Sequence, residues 1–243
     1  MPSRLSVPLA PGVWRVPTMR WDLINSFLLR DEDGQITIVD AGLRSAPDRL
    51  LQALDEIGSG PSDVTRILLT HAHVDHVGGA AQMARHTGRG ASVHAEDAPY
   101  VASGKGPPTD RSTILGRLLR SGAAAQAVPV VEELSDGQVL PLAGGLRVLH
   151  TPGHTPGHIS LLLPDPRILI TGDAIWNMRS RMTWPVAPFC SDWALTRRTA
   201  AVLADQDYDI VAFTHGPEIR QGARDAVRGF LKSPRSVRSL LRP

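Results

Sequence analysis

Cysteine is almost absent from this chain. Cys190 is the only cysteine in 243 residues, which excludes an intrachain disulfide framework and a cysteine-rich metal site. Any bound metal ion must therefore be held by histidine and carboxylate side chains. Cys190 itself is expected to be an inert side chain rather than a reactive thiol.

Long apolar runs are missing as well. The first 20 residues contain scattered proline and arginine and no unbroken apolar stretch, so neither a signal peptide nor a membrane helix is predicted. A soluble, cytoplasmic protein without a membrane partner is expected, and its oligomeric state stays open. Since 42% of the residues are hydrophobic, the chain can bury a full core, and a single domain over residues 1–243 is expected.

An excess of charge of one sign is absent except at the end of the chain. The formal net charge is only +2. From Gly216 onward basic residues outnumber Glu218 and Asp225; they are Arg220, Arg224, Arg228, Lys232, Arg235, Arg238 and Arg242. Such runs are usually solvated helix faces. Nucleic acid is therefore not expected as a partner, and the alternative is a basic patch that binds nucleic acid or an acidic ligand.

Strand and helix patterns alternate along the chain. Apolar and β-branched runs predict strands over residues 35–39, 67–69, 91–95, 138–142, 146–149, 159–163, 168–170 and 209–213. Helices are predicted after a capping box at Ser45 and Asp48, after Gly79, over 191–205 and from about Glu218. A helical insertion is expected near 99–127. Two groups of strands with helices predict an α/β fold with two sheets face to face and helices outside, a four-layer arrangement.

The most informative segment is the sequence HAHVDH at residues 71–76. It places His71, His73, Asp75 and His76 within six positions, although the chain has only nine histidines. A hydrophobic core gains nothing from such crowding, because each polar group would need its own partner. Imidazole and carboxylate are ligands for Zn²⁺ and similar ions. The segment therefore predicts a metal-binding loop.

Three further candidate ligands stand in turns near strand ends. They are His154, Asp173 and His215, each beside glycine, so all the candidates can converge on one edge of the fold. Two adjacent metal ions would lower the pKa of bound water and polarise a carbonyl or phosphoryl oxygen. Hydrolysis is the predicted chemistry.

The remaining histidines are expected to play other parts. His150 and His158 flank the turn that carries His154, and they are predicted to form hydrogen bonds or to be exposed rather than to bind metal. His86 and His94 are expected at the surface or at helix ends. Asp40 follows a predicted strand and precedes glycine, which fits either a turn residue or a residue that supports a metal ligand.

Taken together, five segments resemble the motifs of the metallo-β-lactamase superfamily, in the same order along nearly the whole chain. They are Val39-Asp40-Ala41-Gly42, residues 71–76, Gly153-His154, Thr171-Gly172-Asp173 and Thr214-His215-Gly216. The resemblance implies an αββα sandwich with two metal ions at one edge. His71, His73 and His154 would bind the first ion, and Asp75, His76 and His215 the second. Asp173 would bridge them, with Asp40 in a supporting role, and zinc would be the usual metal, with iron or manganese in some members.

The resemblance does not identify a single substrate. Similar families include glyoxalase II thioesterases, acyl-homoserine lactonases, ribonuclease Z and persulfide dioxygenases. Too few residues follow His215 for the helical glutathione-binding domain of glyoxalase II. Trp176 stands where quorum-quenching lactonases carry a tyrosine, and no exosite arm of the ribonuclease Z kind is visible.

The expected function is hydrolysis of an ester, thioester or lactone by hydroxide held at a dinuclear site, with Asp75 orienting the nucleophile or accepting its proton. A phosphodiesterase or nuclease of the same fold and a non-catalytic metal-binding protein are the alternatives. The predicted substrate is a small molecule with a hydrophobic or aromatic acyl group, with or without an anionic group. Its pocket is assigned to Trp176, Arg179, Met182, Trp184 and Phe189, with Arg181 as a second contact for a carboxylate and Leu115, Leu118 and Leu119 of the insertion as a second wall.

Overall fold

A seven-stranded sheet contains the strands of the first half of the chain. The computed structural model of the protein describes residues 5–112, 114–119 and 121–232. The strands lie across the sheet in chain order: β1 (Val7–Ala10), β2 (Val13–Pro17), β3 (Asn25–Arg30), β4 (Ile36–Val39), β5 (Val64–Leu68), β6 (Ala91–His94) and β7 (Val130–Leu134). Pairing is antiparallel from β1 to β4 and parallel from β4 to β7.

A five-stranded sheet and a small hairpin follow. In chain order the strands are β8 (Val139–Leu140), β9 (Leu146–His150), β10 (Ile159–Leu163), β11 (Ile168–Ile170), β12 (Trp176–Met178), β13 (Arg181–Thr183) and β14 (Ile210–Ala212). The second sheet has the order β14-β11-β10-β9-β8, while β12 and β13 pair only with each other. The pairing of β11 with β14 is parallel, so the segments after these two strands leave the sheet at the same edge.

The described part of the chain contains seven α-helices, six between strands and one after the last strand. They are α1 (Pro47–Glu56), α2 (Val74–Val77), α3 (Ala80–Thr87), α4 (Ala98–Ser103), α5 (Ile114–Leu119), α6 (Trp193–Thr199) and α7 (Ala223–Lys232). Helices α1, α3 and α4 share one apolar cluster with the first sheet. Helix α7 and the 3₁₀ helix Ala200–Asp205 share another with the second sheet.

The layers follow from alternation along the strands. Phe27 and Leu29 on β3 lie in the cluster between the two sheets, whereas Leu28 lies in the cluster under the helices of the first half. Successive side chains of a strand point to opposite faces, so one strand serves two apolar layers. On β11, Ile168 and Ile170 likewise face the first sheet and Leu169 faces the helices of the second half. The predicted α/β fold, a four-layer αββα sandwich, is confirmed.

Several local predictions differ from the structure at helix ends. The capping box at Ser45 is wrong: the residue before α1 is Ala46, it makes no side-chain cap, and Pro47 begins the helix, a position that suits proline. The helix predicted over 191–205 is two helices. Its start is set by Asp192, whose carboxylate accepts the Leu195 N–H at 2.8 Å.

The end of the chain differs from the prediction too. Helix α7 begins at Ala223 rather than near Glu218, because Ile219 pairs with Val211 in an isolated bridge. The expected insertion near 99–127 contains most of α4 and all of α5, and a single domain over the whole chain stays a prediction. Arg235, Arg238 and Arg242 lie outside the described residues. No helix in the described ranges is both long and apolar enough to span a bilayer.

Candidate metal centre

The predicted ligand segments meet at one edge of the sandwich. They follow β5, β9, β11 and β14, which belong to both sheets. Asp173 and His215 each lie three residues beyond their parallel strands, whose last residues, Ile170 and Ala212, are in register. The Ile159 N–H donates to the Thr70 carbonyl at 3.0 Å and joins the two sheets beside the histidine segment.

All seven predicted ligands come together in this region. Three groups have ligand atoms within 4.8 Å of one another: His71 with His73 and His154, His71 with His76 and Asp173, and Asp75 with His76 and His215. Asp173 lies between the groups. Its carboxylate oxygens are 3.1 Å from His154 Nε2, 3.5 Å from His76 Nε2 and 3.2 Å from His215 Nε2.

The donor set fits divalent metal ions. Among the described residues, the buried Nε2 atoms of His71, His76 and His215 find no hydrogen-bond partner of normal geometry. Carboxylate oxygens nevertheless lie 3.2 to 3.6 Å from two of them, those of His76 and His215. Ligands of one zinc ion stand about 3.4 Å apart when each bond is about 2.1 Å and the geometry is tetrahedral. Buried polar atoms without partners are costly, and two ions, one at His71 and one at His76 and His215, would satisfy all three.

Asp40 holds the histidine segment from behind. Its carboxylate accepts the Thr70 N–H at 2.7 Å, the Thr70 hydroxyl at 2.8 Å and the His76 Nδ1–H at 2.8 Å. With one proton held on Nδ1 by Asp40, His76 can give the lone pair of Nε2 to an ion that displaces the second proton, an arrangement typical of metal-binding histidine. Asp40 adopts φ 57° although it is not glycine, a strained conformation that the surrounding bonds maintain.

Asp97 is a supporting residue that sequence reasoning missed. Its buried carboxylate accepts the Ala72 N–H at 2.8 Å, the Thr155 hydroxyl at 2.6 Å and the Gly157 N–H at 2.7 Å. It therefore joins the loop of His71 and His73 to the loop of His154. One signal was available, because Asp97 lies three residues after β6, as Asp173 does after β11.

The pKa values divide the histidines into two sets. Burial and neighbouring histidines hold the pKa of His71 well below its ordinary value, and burial with His154 lowers the pKa of His73 to about 3. Burial acts in the same direction on His76, but Asp75, Asp173 and Asp40 outweigh it and raise its pKa to about 9. His215 is raised as well, because Asp173 and Asp75 outweigh its burial.

The carboxylates show the complementary shift. Burial alone would raise the pKa of Asp173, but His215, His76 and His154 hold it well below the ordinary range. Asp75 is lowered against its burial by His76 and His215. Both carboxylates are therefore ionised at neutral pH, which is the form that binds a cation.

The other histidines were predicted with mixed success. His158 donates its Nδ1–H to the Thr151 carbonyl at 2.9 Å and accepts the Asp173 N–H at 2.7 Å, so its hydrogen-bonding role is confirmed. His86 is exposed in the last turn of α3, as expected. The prediction for His94 is wrong: it is 6% exposed at the end of β6, because it stacks on His150 of the other sheet.

A cavity of about 310 Å³ opens onto the candidate centre. Its lining combines His73, Asp75, His154 and Asp173 with Val74, Gly122, Ala123, Trp176 and Phe189. The Trp176 ring lies 4.6 Å from the ring of His215. No cationic side chain other than histidine lines the cavity among the described residues.

Three predicted pocket residues are elsewhere. Trp184 is 3% exposed in the core of the second half, with its ring 4.9 Å from Phe230, and Met182 packs against the same cluster. Arg179 is exposed at the turn between β12 and β13. Neither Trp184 nor Arg179 lines the cavity.

The second predicted wall and the lone thiol can be placed as well. Leu118 is 74% exposed and does not line the cavity, and the side chains of Leu115 and Leu119 lie outside the described residues. Cys190 is buried, with Sγ 3.4 Å from His154 Nδ1. Burial raises the pKa of this thiol, which is the property of an inert cysteine.

Comparisons with known proteins agree with this geometry. Residues 19–215 match the family model described as the metallo-beta-lactamase superfamily. The probable metallo-hydrolase YflN of Bacillus subtilis is 33% identical over 159 residues, which cover 60% of this chain and 58% of YflN, so the chain spans less than two thirds of that relative. An N-acyl homoserine lactonase from a Bacillus species is 30% identical over 183 residues, covering 73% of this chain and 66% of the lactonase.

A solved structure extends the similarity to three dimensions. The metallo-beta-lactamase family protein TTHA1429 from Thermus thermophilus matches 93% of this chain and 80% of its own, with a TM-score of 0.70 and 25% sequence identity. The family model covers most of the chain, and the structural match includes both sheets. The chain therefore belongs to the metallo-beta-lactamase superfamily of metallo-hydrolases.

Proposed function

We propose that the protein hydrolyses an ester, thioester or lactone at a dinuclear metal site, with zinc as the expected ion and iron or manganese as alternatives. The observation that carries this proposal is the set of buried Nε2 atoms on His71, His76 and His215 without hydrogen-bond partners. They surround the ionised carboxylate of Asp173, a donor set of imidazole and oxygen that suits such ions.

The proposed ligands divide into two groups around Asp173. His71, His73 and His154 would hold one ion, and Asp75, His76 and His215 the other, in agreement with their grouping by distance. When bound, the ions would supply an activated water and positive charge for the oxygen on which negative charge develops.

Asp75 is the proposed catalytic residue among these side chains. Its side chain is 30% exposed, whereas that of Asp173 is 2% exposed, and it lines the cavity. His76 and His215 hold its pKa below the ordinary range, so it accepts a hydrogen bond from water and orients that water toward a substrate carbonyl. Binding to a metal ion would lower the basicity of the Asp75 carboxylate further, so its main role is to orient the water rather than to accept a proton.

The cavity favours a neutral, hydrophobic acyl group. Val74, Trp176 and Phe189 offer apolar surface, and the two arginines of the β12–β13 hairpin do not line the cavity. Among the described residues, the lining therefore offers no arginine or lysine for an anionic group on the substrate. Relatives of this chain are named both as an N-acyl homoserine lactonase and as hydroxyacylglutathione hydrolases, so esters, thioesters and lactones of hydrophobic acids stand together in the proposal.

The phosphodiesterase alternative has less support. A phosphodiester carries a negative charge, and enzymes that bind phosphate surround it with arginine, lysine or backbone amides. The cavity has no arginine or lysine among the described residues. A cytoplasmic location and a small-molecule substrate stay predictions from the sequence.

One experiment separates these proposals. Purified protein is assayed for zinc, iron and manganese by elemental analysis, then tested with nitrophenyl esters, acyl thioesters, acyl lactones and bis-nitrophenyl phosphate. We expect about two ions per chain and turnover of lactones and esters of hydrophobic acids above that of the phosphodiester. Turnover of the phosphodiester alone would contradict the proposed reaction, and metal binding without any turnover would favour the non-catalytic alternative.

A further inference from the structure

A second cluster of metal-binding side chains lies outside the candidate centre. His94, Glu96 and His150 each place a ligand atom within 4.8 Å of the others. None of the three is a predicted ligand of the dinuclear site. His94 ends β6 in the first sheet and His150 ends β9 in the second, so the cluster spans the gap between the sheets.

The two imidazoles face each other across that gap. Their ring centroids are 3.9 Å apart and their planes differ by 18°. Imidazole lone pairs lie in the ring planes, so one ring must rotate out of this stack before both nitrogens can bind one ion. Burial and His150 lower the pKa of His94, which keeps this ring in the neutral form that binds metal.

His150 has the hydrogen-bond pattern of a metal ligand. Its Nε2–H donates to the Pro156 carbonyl at 3.0 Å, so the proton is on Nε2 and the lone pair is on Nδ1. Metal-binding histidines usually donate their other ring N–H to a carbonyl or carboxylate in this way. The backbone of His150 is fixed as well, because its N–H donates to Asp136 at 2.8 Å.

His94 is less constrained. Its Nδ1 accepts the Glu96 N–H at 3.3 Å, which is longer than an ordinary N–H···O or N–H···N bond. An ion bound at Nδ1 would replace this weak contact. Glu96 is exposed two residues after His94, so its carboxylate can approach the pair without opening the core.

We propose that His94, Glu96 and His150 form a separate divalent-metal site that ties the first sheet to the second. Two imidazoles and one carboxylate suit Zn²⁺ and similar borderline ions better than Mg²⁺ or Ca²⁺. Three protein ligands leave one position for water. The role is structural, because no ligand of this site lines the cavity at the candidate centre.

The site has a physical connection to the candidate centre. The turn after β6 carries Glu96 and, next to it, Asp97, whose carboxylate holds the loops of His71, His73 and His154. An ion on His94 and Glu96 would restrain this turn. Binding to the folded state alone stabilises it by mass action, so the site raises the temperature at which the two sheets separate.

The test compares four purified proteins. They are the wild type, Glu96→Ala, His150→Gln and the control His86→Gln, which removes an exposed histidine of α3 outside the cluster. Each protein is dialysed against a zinc buffer, and bound zinc and the thermal midpoint are measured. Circular dichroism confirms that each variant is folded.

We expect the wild type and His86→Gln to hold one zinc ion more than Glu96→Ala and His150→Gln. Zinc at about 100 times its dissociation constant should raise the thermal midpoint of the wild type and His86→Gln by about 5–10 °C more than that of Glu96→Ala and His150→Gln. Equal zinc content and equal midpoints in all four proteins would overturn the proposal. Glu96 is the neighbour of Asp97, so a loss of zinc in Glu96→Ala alone would point to the dinuclear centre and overturn the proposal. His150 ends a strand of the other sheet, so the same loss in His150→Gln assigns the ion to the cluster of His94, Glu96 and His150.

Discussion

Asp97→Asn tests whether the loops of the candidate centre are held together by a single carboxylate. Oδ2 accepts both the Ala72 N–H and the Thr155 hydroxyl, and Oδ1 accepts the Gly157 N–H. An asparagine has only one acceptor oxygen. In either orientation of the amide, a buried backbone N–H of Ala72 or Gly157 would face an NH₂ group.

The size of the effect can be worked out from these bonds. A hydrogen bond to a charged group contributes about 1.5–3 kcal/mol, and a buried donor without a partner costs about 1–3 kcal/mol. Burial raises the pKa of Asp97, so removing the charge recovers part of its desolvation cost. We therefore expect a net loss of about 2 kcal/mol of unfolding free energy, or about 4–8 °C in thermal midpoint for a chain of this size.

Asp97→Asn should also lower the affinity of the protein for zinc. Residues that orient metal ligands typically contribute about 10–100-fold in affinity, and Asp97 orients two ligand loops. The assay is calorimetry together with zinc competition against a chelator of known affinity. The control is Asp63→Asn, which alters a partly buried carboxylate that accepts one backbone N–H, from Gly60 at 2.8 Å, away from the centre. If Asp97→Asn matches Asp63→Asn in both measurements, the proposed role of Asp97 is refuted.

Three further predictions follow from the described geometry. Asp173→Asn should lose about one metal ion and most of the ester turnover while circular dichroism stays unchanged, and unchanged metal content would contradict its bridging role. Trp176→Ala should raise KM for hydrophobic acyl esters with kcat retained. Trp184→Ala should cost about 3–5 kcal/mol of stability without changing the order of preference among substrates. The reverse pattern would contradict the assignment of Trp176 to the cavity. In protein freed of metal by a chelator, His76 has a pKa raised to about 9, above its unfolded value of about 6.5. Its stabilising contribution is complete below that unfolded value and lost as the pH rises to the folded one, so thermal midpoints should fall between pH 6.5 and 9, and a midpoint that rises over this interval would contradict the assignment.

The meeting of the seven candidate ligands in one region could be predicted from sequence because its evidence is local. Three imidazoles and a carboxylate within residues 71–76 have no structural use that a core would favour, and His154, Asp173 and His215 each stand beside a glycine at a strand end. Strand ends of packed sheets converge, so their positions along the chain were sufficient to bring them together. The layers were predictable for a different reason, because strand and helix patterns recur in two groups along the chain and the family resemblance implies the same αββα arrangement.

The pocket and the supporting residues could not be predicted in this way. The three partners of Asp97 are 25, 58 and 60 residues away in sequence, so only the fold reveals its role. Trp176 and Trp184 look alike in sequence. The β12–β13 hairpin separates them, because Trp176 stays next to His215 while Trp184 meets Phe230 of α7.

The position of the centre across both sheets makes its metal affinity depend on the layer between them. Leu28 and Leu29 are neighbours on β3; Leu29 lies between the sheets and Leu28 lies under the helices of the first half. Both are buried, and each change to alanine should cost about 2–5 kcal/mol of stability. The cavity that Leu29→Ala leaves between the sheets would let the two sheets shift against each other. This shift would move the candidate ligands of the first sheet away from Asp173 and His215. We therefore expect Leu29→Ala to weaken zinc binding about tenfold more than Leu28→Ala does, although the two variants lose similar stability. A tenfold loss of metal affinity is within the range of about 10–100-fold found when residues that orient metal ligands are changed. Zinc competition at a temperature where both variants are folded measures this, and equal affinities would show that the centre is held by its own loops alone.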